Sequence, residues 1–366
     1  MSAVAEIDAG PATLLVVGTG LIGTSVALAA RRRGIEVHLV DRDPDIARRA
    51  AGLGAGTLGW PDADPDVVVV GAPPGVVGSI VAELHQRYPT SVVTDLASVK
   101  AVPQRDAEAA GHDASRFVGG HPLAGRERSG PHAARGDLFE GRPWVLTPSP
   151  ATTPESFERV RALVLACDAI PVVMTVEQHD AAVALVSHAP HLVAAATAAR
   201  LDGAPPESVA LAGQGVRDVT RIAASDPDLW VEILAANADP VAAVLTALRD
   251  DLSRVIDALA GFDGSPEASE VLRELLVRGV AGRAEIPGKH GGASVRYVTV
   301  PVVIPDEPGY LARLFTAADE AGVNIEDVSI EHSPGQPVGL VELSVGPGAA
   351  ATLIASLRAG GWTVQD

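Results

Sequence analysis

The sequence predicts an α/β protein: a doubly wound, mostly parallel sheet, then an all-helical domain, then a small C-terminal β-α-β-β-α-β domain. Three observations predict it. Apolar runs of strand length alternate with helical segments as far as Met174. From Thr175 to Arg278 strand signals vanish and helix caps recur. Beyond Tyr297 β periodicity returns, in a different order.

The first strand, Leu14-Leu15-Val16-Val17, runs straight into Gly18-Thr19-Gly20-Leu21-Ile22-Gly23, and an Ala-rich helix follows to Arg33. Strand, tight turn and helix make the context that a Gly-x-Gly-x-x-Gly dinucleotide fingerprint requires. Gly18 allows the turn, Gly20 lets backbone N–H groups approach a pyrophosphate, and Gly23 lets helix and strand pack closely. The anion then rests at the helix N-terminus. A second strand, Glu36 to Val40, ends in Asp41, about twenty residues past the glycines, where a carboxylate hydrogen-bonds ribose hydroxyls. An acid there repels a 2′-phosphate and favours NAD, while Arg42 leaves room for NADP. The domain is therefore Rossmann-type. Its cofactor-binding candidates are Gly18, Thr19, Gly20, Leu21, Ile22, Gly23, Asp41, Arg42 and Pro73.

Asp43-Pro44 opens the next helix. The strand Val67 to Val70 ends at Gly71-Ala72-Pro73-Pro74, with Pro74 suited to a first helical turn. Ser91 to Thr94 is a strand followed by Asp95, Ser98 and Lys100, and Phe117 to Gly120 leads into His121. Trp144 to Leu146 and Ile170 to Met174 are later strands. In doubly wound sheets ligands gather beyond the carboxyl ends of the strands, where Asp41, Pro73, Ser98 and His121 all fall.

Thr175 and Gln178 have capping-box spacing. Asp226-Pro227 and Asp239-Pro240 each read as an N-cap followed by a first-turn proline. After the second, Val241, Val244, Leu245, Leu248, Leu252, Val255, Ile256 and Leu259 mark an amphipathic helix of roughly 20 residues. Its apolar face serves either a dimer interface or an ordinary core. The stretch 282–295 is rich in Gly and charge and reads as a linker. Strands at 297–304, 324–331, 338–345 and 362–364, with helices at 311–321 and 350–358, follow the ferredoxin-like split order. The expected division is 12–174 Rossmann-type, 175–281 helical, 282–295 linker and 296–366 C-terminal domain.

The chain has 366 residues, 47% of them hydrophobic, enough for two or three cores. A formal charge of −18 disfavours nucleic acid and anionic membrane surfaces as partners. Any anionic substrate must meet a local cluster of Arg, Lys and backbone dipoles. Cys167 is the only cysteine, so no internal disulfide or Cys-rich metal site forms. No signal peptide and no apolar run of spanning length are evident, and the expected location is the cytoplasm.

His121 follows two glycines at a strand end, and its imidazole titrates near neutral pH as a general acid or base should. The bland alternative is a structural histidine. Ser187-His188-Ala189-Pro190-His191, with His179 and Asp180 nearby, allows three readings: packing and capping histidines, a metal site, or a histidine reaching substrate. Arg217 and Arg221, four apart, share a helix face and can clamp a carboxylate, or else form internal salt bridges. Ser98 and Lys100 are polar loop residues or site residues. In the last domain Asp306, Gly309 and Asn324 stand at turns that either expose backbone to a small amino acid or are simply turns.

Taken together, these segments resemble a known family. Gly18-Thr19-Gly20-Leu21-Ile22-Gly23-Thr24-Ser25, Asp95-Leu96-Ala97-Ser98-Val99-Lys100, and His121-Pro122-Leu123-Ala124-Gly125-Arg126-Glu127-Arg128-Ser129-Gly130 come first. Ser187 to His191, Arg217 to Ala223 and Asp226 to Trp230 complete the set. The chain is similar to prephenate dehydrogenases over residues 12 to 285, and residues 296 to 366 look like an ACT-type regulatory domain.

The resemblance implies NAD-dependent oxidative decarboxylation of prephenate to 4-hydroxyphenylpyruvate in tyrosine biosynthesis, by a homodimer without a metal. It implies that His121 accepts the hydrogen bond of the substrate 4-hydroxyl and that Ser98 bonds both His121 and that hydroxyl. Arg221 holds a substrate carboxylate, with Arg217 near it, and His191 lies in the same pocket. Glu127 orients the site and Trp230 walls it. Arg126 stands where smaller residues are common, which keeps arogenate as the alternative substrate. Tyrosine is the implied effector, at Asp306, Gly309 and Asn324. A β-hydroxyacid dehydrogenase calls for a Lys early in the helical domain, and none occurs between Lys100 and Lys289. A non-catalytic NAD and amino-acid sensor is the remaining rival.

Overall fold

The computed structural model describes residues 10–124, 130–262, 265–286, 297–332 and 337–365. The chain divides into two compact units, Met1–Leu248 and Arg249–Asp366.

The first unit begins with β1 (Thr13–Val17), α1 (Leu21–Arg32), β2 (Glu36–Val40), α2 (Pro44–Gly52) and a two-residue β3 (Thr57–Leu58). Then come β4 (Val67–Val70), α3 (Pro74–Arg87), β5 (Val92–Asp95), α4 (Ala101–Ala109), β6 (Phe117–Pro122), β7 (Pro143–Pro148), α5 (Pro154–Ala166) and β8 (Ile170–Val173). One eight-stranded sheet results, in the order β3-β2-β1-β4-β5-β6-β7-β8, parallel throughout except where β6 meets β7. The Rossmann-type fold expected from the sequence is present, and the order reverses at β1 and β4. That crevice is where such sheets bind ligands.

The four valines of β4 are fully buried, as a central parallel strand covered on both faces demands. One core packs Leu14, Val16, Val26 and Leu163 on one face, and another packs Leu15, Val77, Val81 and Leu84 on the other. Helix starts are set locally. Asp43 accepts from the Asp45 amide ahead of Pro44, and Thr153 accepts from Ser156 ahead of Pro154.

The helical part of this unit opens with α6 (Val176–Val183), started by the Thr175–Gln178 capping box. A π-helical turn, Ala184–His188, joins it to α7 (Ala189–Ala198). Pro190 explains the turn: it has no N–H to give the Val186 carbonyl, and its ring crowds that oxygen. The chain loosens just upstream, and the Ala189 amide donates five residues back to Ala184. By length and composition the helical stretch Val176–Ala198 is able to cross a membrane, but it buries His179, Asp180, His188 and His191 inside this unit.

After it come α8 (Pro206–Val209), α9 (Gln214–Thr220), α10 (Pro227–Ala236), capped by Asp226, and α11 (Ala238–Ala260). Asp239 is not the N-cap of α11 that its Asp-Pro pair implied. The helix begins at Ala238, because Pro240 is accommodated within a first turn whose N–H groups need no intrahelical acceptor.

In the second unit the end of α11 pairs with α12 (Pro266–Ala284) through Arg254–Glu274 at 2.5 Å and Arg278–Asp251 at 3.0 Å. Helix α12 runs through the first residues of the expected linker, since Arg283 and Ala284 continue the α-helix. Residues 287–295 of that linker lie outside the described residues. Beyond lie β9 (Val298–Pro305), α13 (Tyr310–Glu320), β10 (Ile325–His332), β11 (Val338–Val345), α14 (Pro347–Ala359) and β12 (Thr363–Val364). Their sheet has the order β10-β11-β9-β12, with every neighbouring pair antiparallel. Val300, Val302, Leu314, Leu343, Leu353 and Leu357 form its core. Asp306, Gly309 and Asn324 are exposed beside it.

Candidate active site

The glycine loop is shaped for a dinucleotide. Gly18 has φ +97°, and a Cβ there would stand 2.1 Å from the Gly71 carbonyl oxygen. A Cβ on Gly23 would stand 2.0 Å from the Gly18 oxygen, so these two glycines are required by the fold itself. Gly20 differs: a Cβ there would meet nothing. It projects into the open space that a pyrophosphate needs. No side chain caps α1 and no acid lies in its first turn, which leaves its positive end for an anion. Asp41 ends β2 and accepts from the Thr19 amide at 2.6 Å and the Thr19 hydroxyl at 3.0 Å, which holds the carboxylate against the loop. Leu21 and Ile22 open α1, Arg42 is exposed beside Asp41, and Pro73 caps α3. The residues present fit NAD.

At the carboxyl end of β6 the structure assembles a buried polar group. A Cβ on Gly120 would lie 2.6 Å from the Asp95 carbonyl oxygen, and one on Gly119 would lie 2.3 Å from the Thr147 hydroxyl. The paired glycines thus let β6 press against its neighbours and present His121. Beneath it the Lys100 ammonium bonds to Asp95 and to the Gly120 carbonyl, the latter at 2.6 Å. Asp95 in turn accepts from the Gly120 amide at 3.1 Å and the Ala97 amide at 3.0 Å. Burial lowers the Lys100 pKa from its ordinary value, with Asp95 opposing.

His121 Nδ1 lies 2.8 Å from Nε2 of His179, whose Nδ1 lies 2.7 Å from Asp180 Oδ1. The backbone amides of Lys100 and Ala101 donate to the two oxygens of Asp180 at 2.8 and 2.9 Å. Burial pushes the Asp180 carboxyl up, but hydrogen bonds from His179 and those amides outweigh it and hold it below the usual carboxylate range. Burial, and then the neighbouring His179, Lys100 and His188, hold His121 well below the usual histidine value. The ring is therefore neutral at neutral pH.

Asn237 Nδ2 lies 2.9 Å from the Asp180 carbonyl and 3.0 Å from His188 Nδ1. Burial brings His188 down to about 4. His191, lowered by burial, stacks flat on Trp230 with ring centroids 3.5 Å apart and planes 7° from parallel.

Models of the prephenate dehydrogenase nucleotide-binding domain and dimerization domain match residues 26–173 and 175–276. The chain is 39% identical over 360 residues to a probable prephenate dehydrogenase, NovF, of Streptomyces niveus, covering 97% of this chain and 99% of that one. The chain belongs to the prephenate dehydrogenase family. It is an NAD-dependent oxidoreductase of that family. The prephenate dehydrogenase of Bacillus subtilis is 27% identical over 91% of both chains. Among solved structures, the prephenate dehydrogenase of A. aeolicus in complex with hydroxyphenyl propionate and NAD+ is 30% identical, with a TM-score of 0.64. It covers 74% of this chain and 97% of that one. The arogenate dehydrogenase of Synechocystis is 28% identical with a TM-score of 0.62, covering 74% and 99%.

Of the residues that prephenate dehydrogenase resemblance singled out, the structure brings His191 and Trp230 together and sets Ser98 half-buried in the loop after β5. The implied Ser98–His121 hydrogen bond does not form. His179 occupies Nδ1 instead, held in place by the anchored Asp180. Arg217 and Arg221 are both exposed; Arg217 lies within α9, and Arg221 is its C-cap and opens a 3-10 turn. Asp218, a candidate partner for Arg217, accepts from Gln214 at 2.7 Å. Glu127 and Arg126 lie outside the described residues. Among the described residues no three His, Cys, Asp or Glu side chains are grouped to hold a metal. Sequence reasoning missed the contact of His179 with His121. The available signal was the adjacent His179-Asp180 pair in the first turns of a capped helix.

Proposed function

We propose that this chain converts prephenate, with NAD, to 4-hydroxyphenylpyruvate and carbon dioxide. The observation that carries the reading is the neutral, half-buried His121, at the carboxyl end of a sheet whose glycine loop fits the dinucleotide. The A. aeolicus relative binds hydroxyphenyl propionate, a phenol with a carboxylate side chain like the product proposed here.

His121 faces the 4-hydroxyl of the substrate through Nε2, since its Nδ1 is engaged, and polarises that O–H as base. Ser98 hydrogen-bonds the same hydroxyl. Arg221 and Arg217 offset the substrate's carboxylates in a strongly acidic protein, and His191, stacked on Trp230, walls the side-chain end. Glu127 orients the site. Gly18 to Gly23, Asp41, Arg42 and Pro73 hold NAD, which when bound supplies the hydride acceptor. Loss of carbon dioxide makes the ring aromatic and drives the reaction, so no metal is required.

The proposed division keeps 12–174 for the cofactor, extends 175–281 to the end of α12 at Ala284 for substrate and for a homodimer contact, leaves 285–295 as a linker, and keeps 296–366 as a regulatory domain. The β-α-β-β-α-β order and the strand order β10-β11-β9-β12 support an ACT-type, ferredoxin-like reading of the last part. Tyrosine is its proposed effector, at Asp306, Gly309 and Asn324, and the cytoplasm the proposed location.

The test mixes purified protein and NAD with prephenate or arogenate and follows NADH absorbance, with and without tyrosine. Turnover of prephenate that is abolished in His121→Asn is expected. Turnover of arogenate alone moves the substrate assignment, a reading favoured by the likeness to the Synechocystis enzyme. No NADH from either substrate, in protein that binds NAD, overturns the proposal.

A further inference from the structure

We infer that Asp180 and His179 are positioning residues that lock His121 in its Nδ1–H tautomer, making Nε2 the proton acceptor. The inference rests on the reading of His121 as the group facing the 4-hydroxyl. It follows from counting donors along three contacts.

Asp180 takes one backbone amide on each oxygen, from Lys100 and Ala101, and amides only donate. The carboxylate is therefore acceptor-only, and its third partner, His179 Nδ1 at 2.7 Å, must bring the proton. A neutral His179 protonated at Nδ1 carries a lone pair at Nε2. That lone pair sits 2.8 Å from His121 Nδ1, so the proton between the two rings belongs to His121. The opposite His121 tautomer sets two lone pairs against each other in a buried place. With Nδ1 protonated, Nε2 of His121 is left as a bare acceptor.

The frame around the chain of contacts is rigid. Helix α6, capped at Thr175, delivers both His179 and Asp180. Asn237 holds the Asp180 carbonyl, and the Lys100–Asp95 pair holds the Gly120 peptide next to His121.

The arrangement also handles the proton in transit. The 4-hydroxyl proton passes to His121 Nε2, and the imidazolium so formed keeps its Nδ1–H directed at His179, with the Asp180 carboxylate next in line. Aromatisation regenerates a strongly accepting oxygen, which takes the proton back from Nε2. The balance closes: a substrate dianion and oxidised cofactor give a monoanion, carbon dioxide and reduced cofactor, with no net proton released. His179 and Asp180 touch neither substrate nor cofactor in this scheme, which is the analogue of a carboxylate orienting a catalytic imidazole.

Nitrogen-15 NMR of the ring nitrogens tests this directly, on histidine-labelled full-length protein with NAD bound at neutral pH. His121→Asn and His179→Gln spectra supply the assignments. Expected are a protonated Nδ1 and an unprotonated Nε2 on His121, with Nδ1 of His179 also protonated. A His121 protonated at Nε2, or a doubly protonated His179 donating to it, overturns the inference. This readout needs no turnover, so it separates failure of the inference from failure of the proposed reaction.

Kinetics give the second arm. His179→Phe, which keeps a ring and removes both nitrogens, is expected to lower kcat by about 10²–10⁴ while prephenate KM moves by less than about twofold. In His179→Gln, whose side-chain oxygen can accept from Nδ1–H, part of the rate returns. A folded His179→Phe with unchanged kcat, or with the loss carried in KM, counts against the assignment. If that variant does not fold, the wild-type spectrum still decides.

Discussion

Lys100→Met tests what holds His121 in place. The Lys100 and Asp95 side chains are essentially without solvent contact, and the ammonium bonds to Asp95 and to the Gly120 carbonyl. Methionine has a stem of similar length, so packing changes little and the loss is electrostatic. Removing one partner of a buried ion pair costs about 3–5 kcal/mol, because the other charge stays buried without its counter-ion. Here Asp95 keeps two amide donors, from Ala97 and Gly120, which places the expected loss at the lower end, about 3 kcal/mol.

Against a typical folding stability of about 5–15 kcal/mol, such a loss is readily measured. Urea unfolding of the full chain, followed by circular dichroism and by tryptophan fluorescence, gives the midpoint and slope. Asp95→Asn alone strands the ammonium and is also costly, whereas Lys100→Met/Asp95→Asn removes both charges. The double variant is expected to be more stable than the sum of the single losses predicts, by about 1–3 kcal/mol. A Lys100→Met protein within about 1 kcal/mol of wild type, or strictly additive single losses, refutes the argument.

Three further outcomes are expected. Gly20→Ala leaves the fold intact, because its backbone (φ −66°, ψ −162°) suits alanine and a Cβ meets nothing, yet weakens NAD binding at least about tenfold by filling the pyrophosphate approach. Unchanged affinity by calorimetry removes Gly20 from the cofactor site. Burial, then Arg116, holds His85 at about 4, and its Nδ1 accepts from the Asp113 amide at 3.1 Å. The unfolded chain therefore binds that proton first, and stability present above pH 6.5 is lost as the pH falls toward 4. His85→Gln, which keeps an acceptor, is expected to flatten thermal stability against pH in that window; an unaltered slope contradicts the assignment. Deleting Val186, an exposed residue of the π turn, is expected to leave NAD affinity near wild type and abolish turnover; full activity counts against the turn's role.

The nucleotide half was legible because its signals are local. The glycines, Asp41 and the run of valines in β4 each impose a backbone requirement that can be seen within a few residues. The capping box and the Asp-Pro starts were local too, and the slip among them, at Asp239, moved a helix start by two residues. The order of the C-terminal strands was readable from β periodicity and turn glycines alone. What was not legible joins distant parts of the chain. His121 and His179 are 58 residues apart, and no pattern in either segment states that their rings meet. Lys100 read as a loop polar or a site residue, and its pairing with Asp95 was not visible, because a charge pair advertises its burial only in the folded chain.

The histidines of the helical part show why a correct motif can still mislead about geometry. At about 100° per residue, the nine steps from His179 to His188 amount to half a turn, which puts the two on opposite faces of a continuous α-helix. On that wheel one of them faces solvent, and a packing, metal or substrate role is equally open to either. In the folded chain both are buried, with Asn237 reaching the Asp180 carbonyl and the His188 ring from one amide. The π turn makes this possible, for one extra residue rotates α7 by about 100° relative to α6. The cause lies inside the motif itself, since Pro190 cannot bond the Val186 carbonyl and forces the widening. The same proline thus turns His191 toward Trp230 while α6 keeps His179 on His121. A residue that reads as a helix fault is what lets one helical stretch serve both the base and the wall of the site.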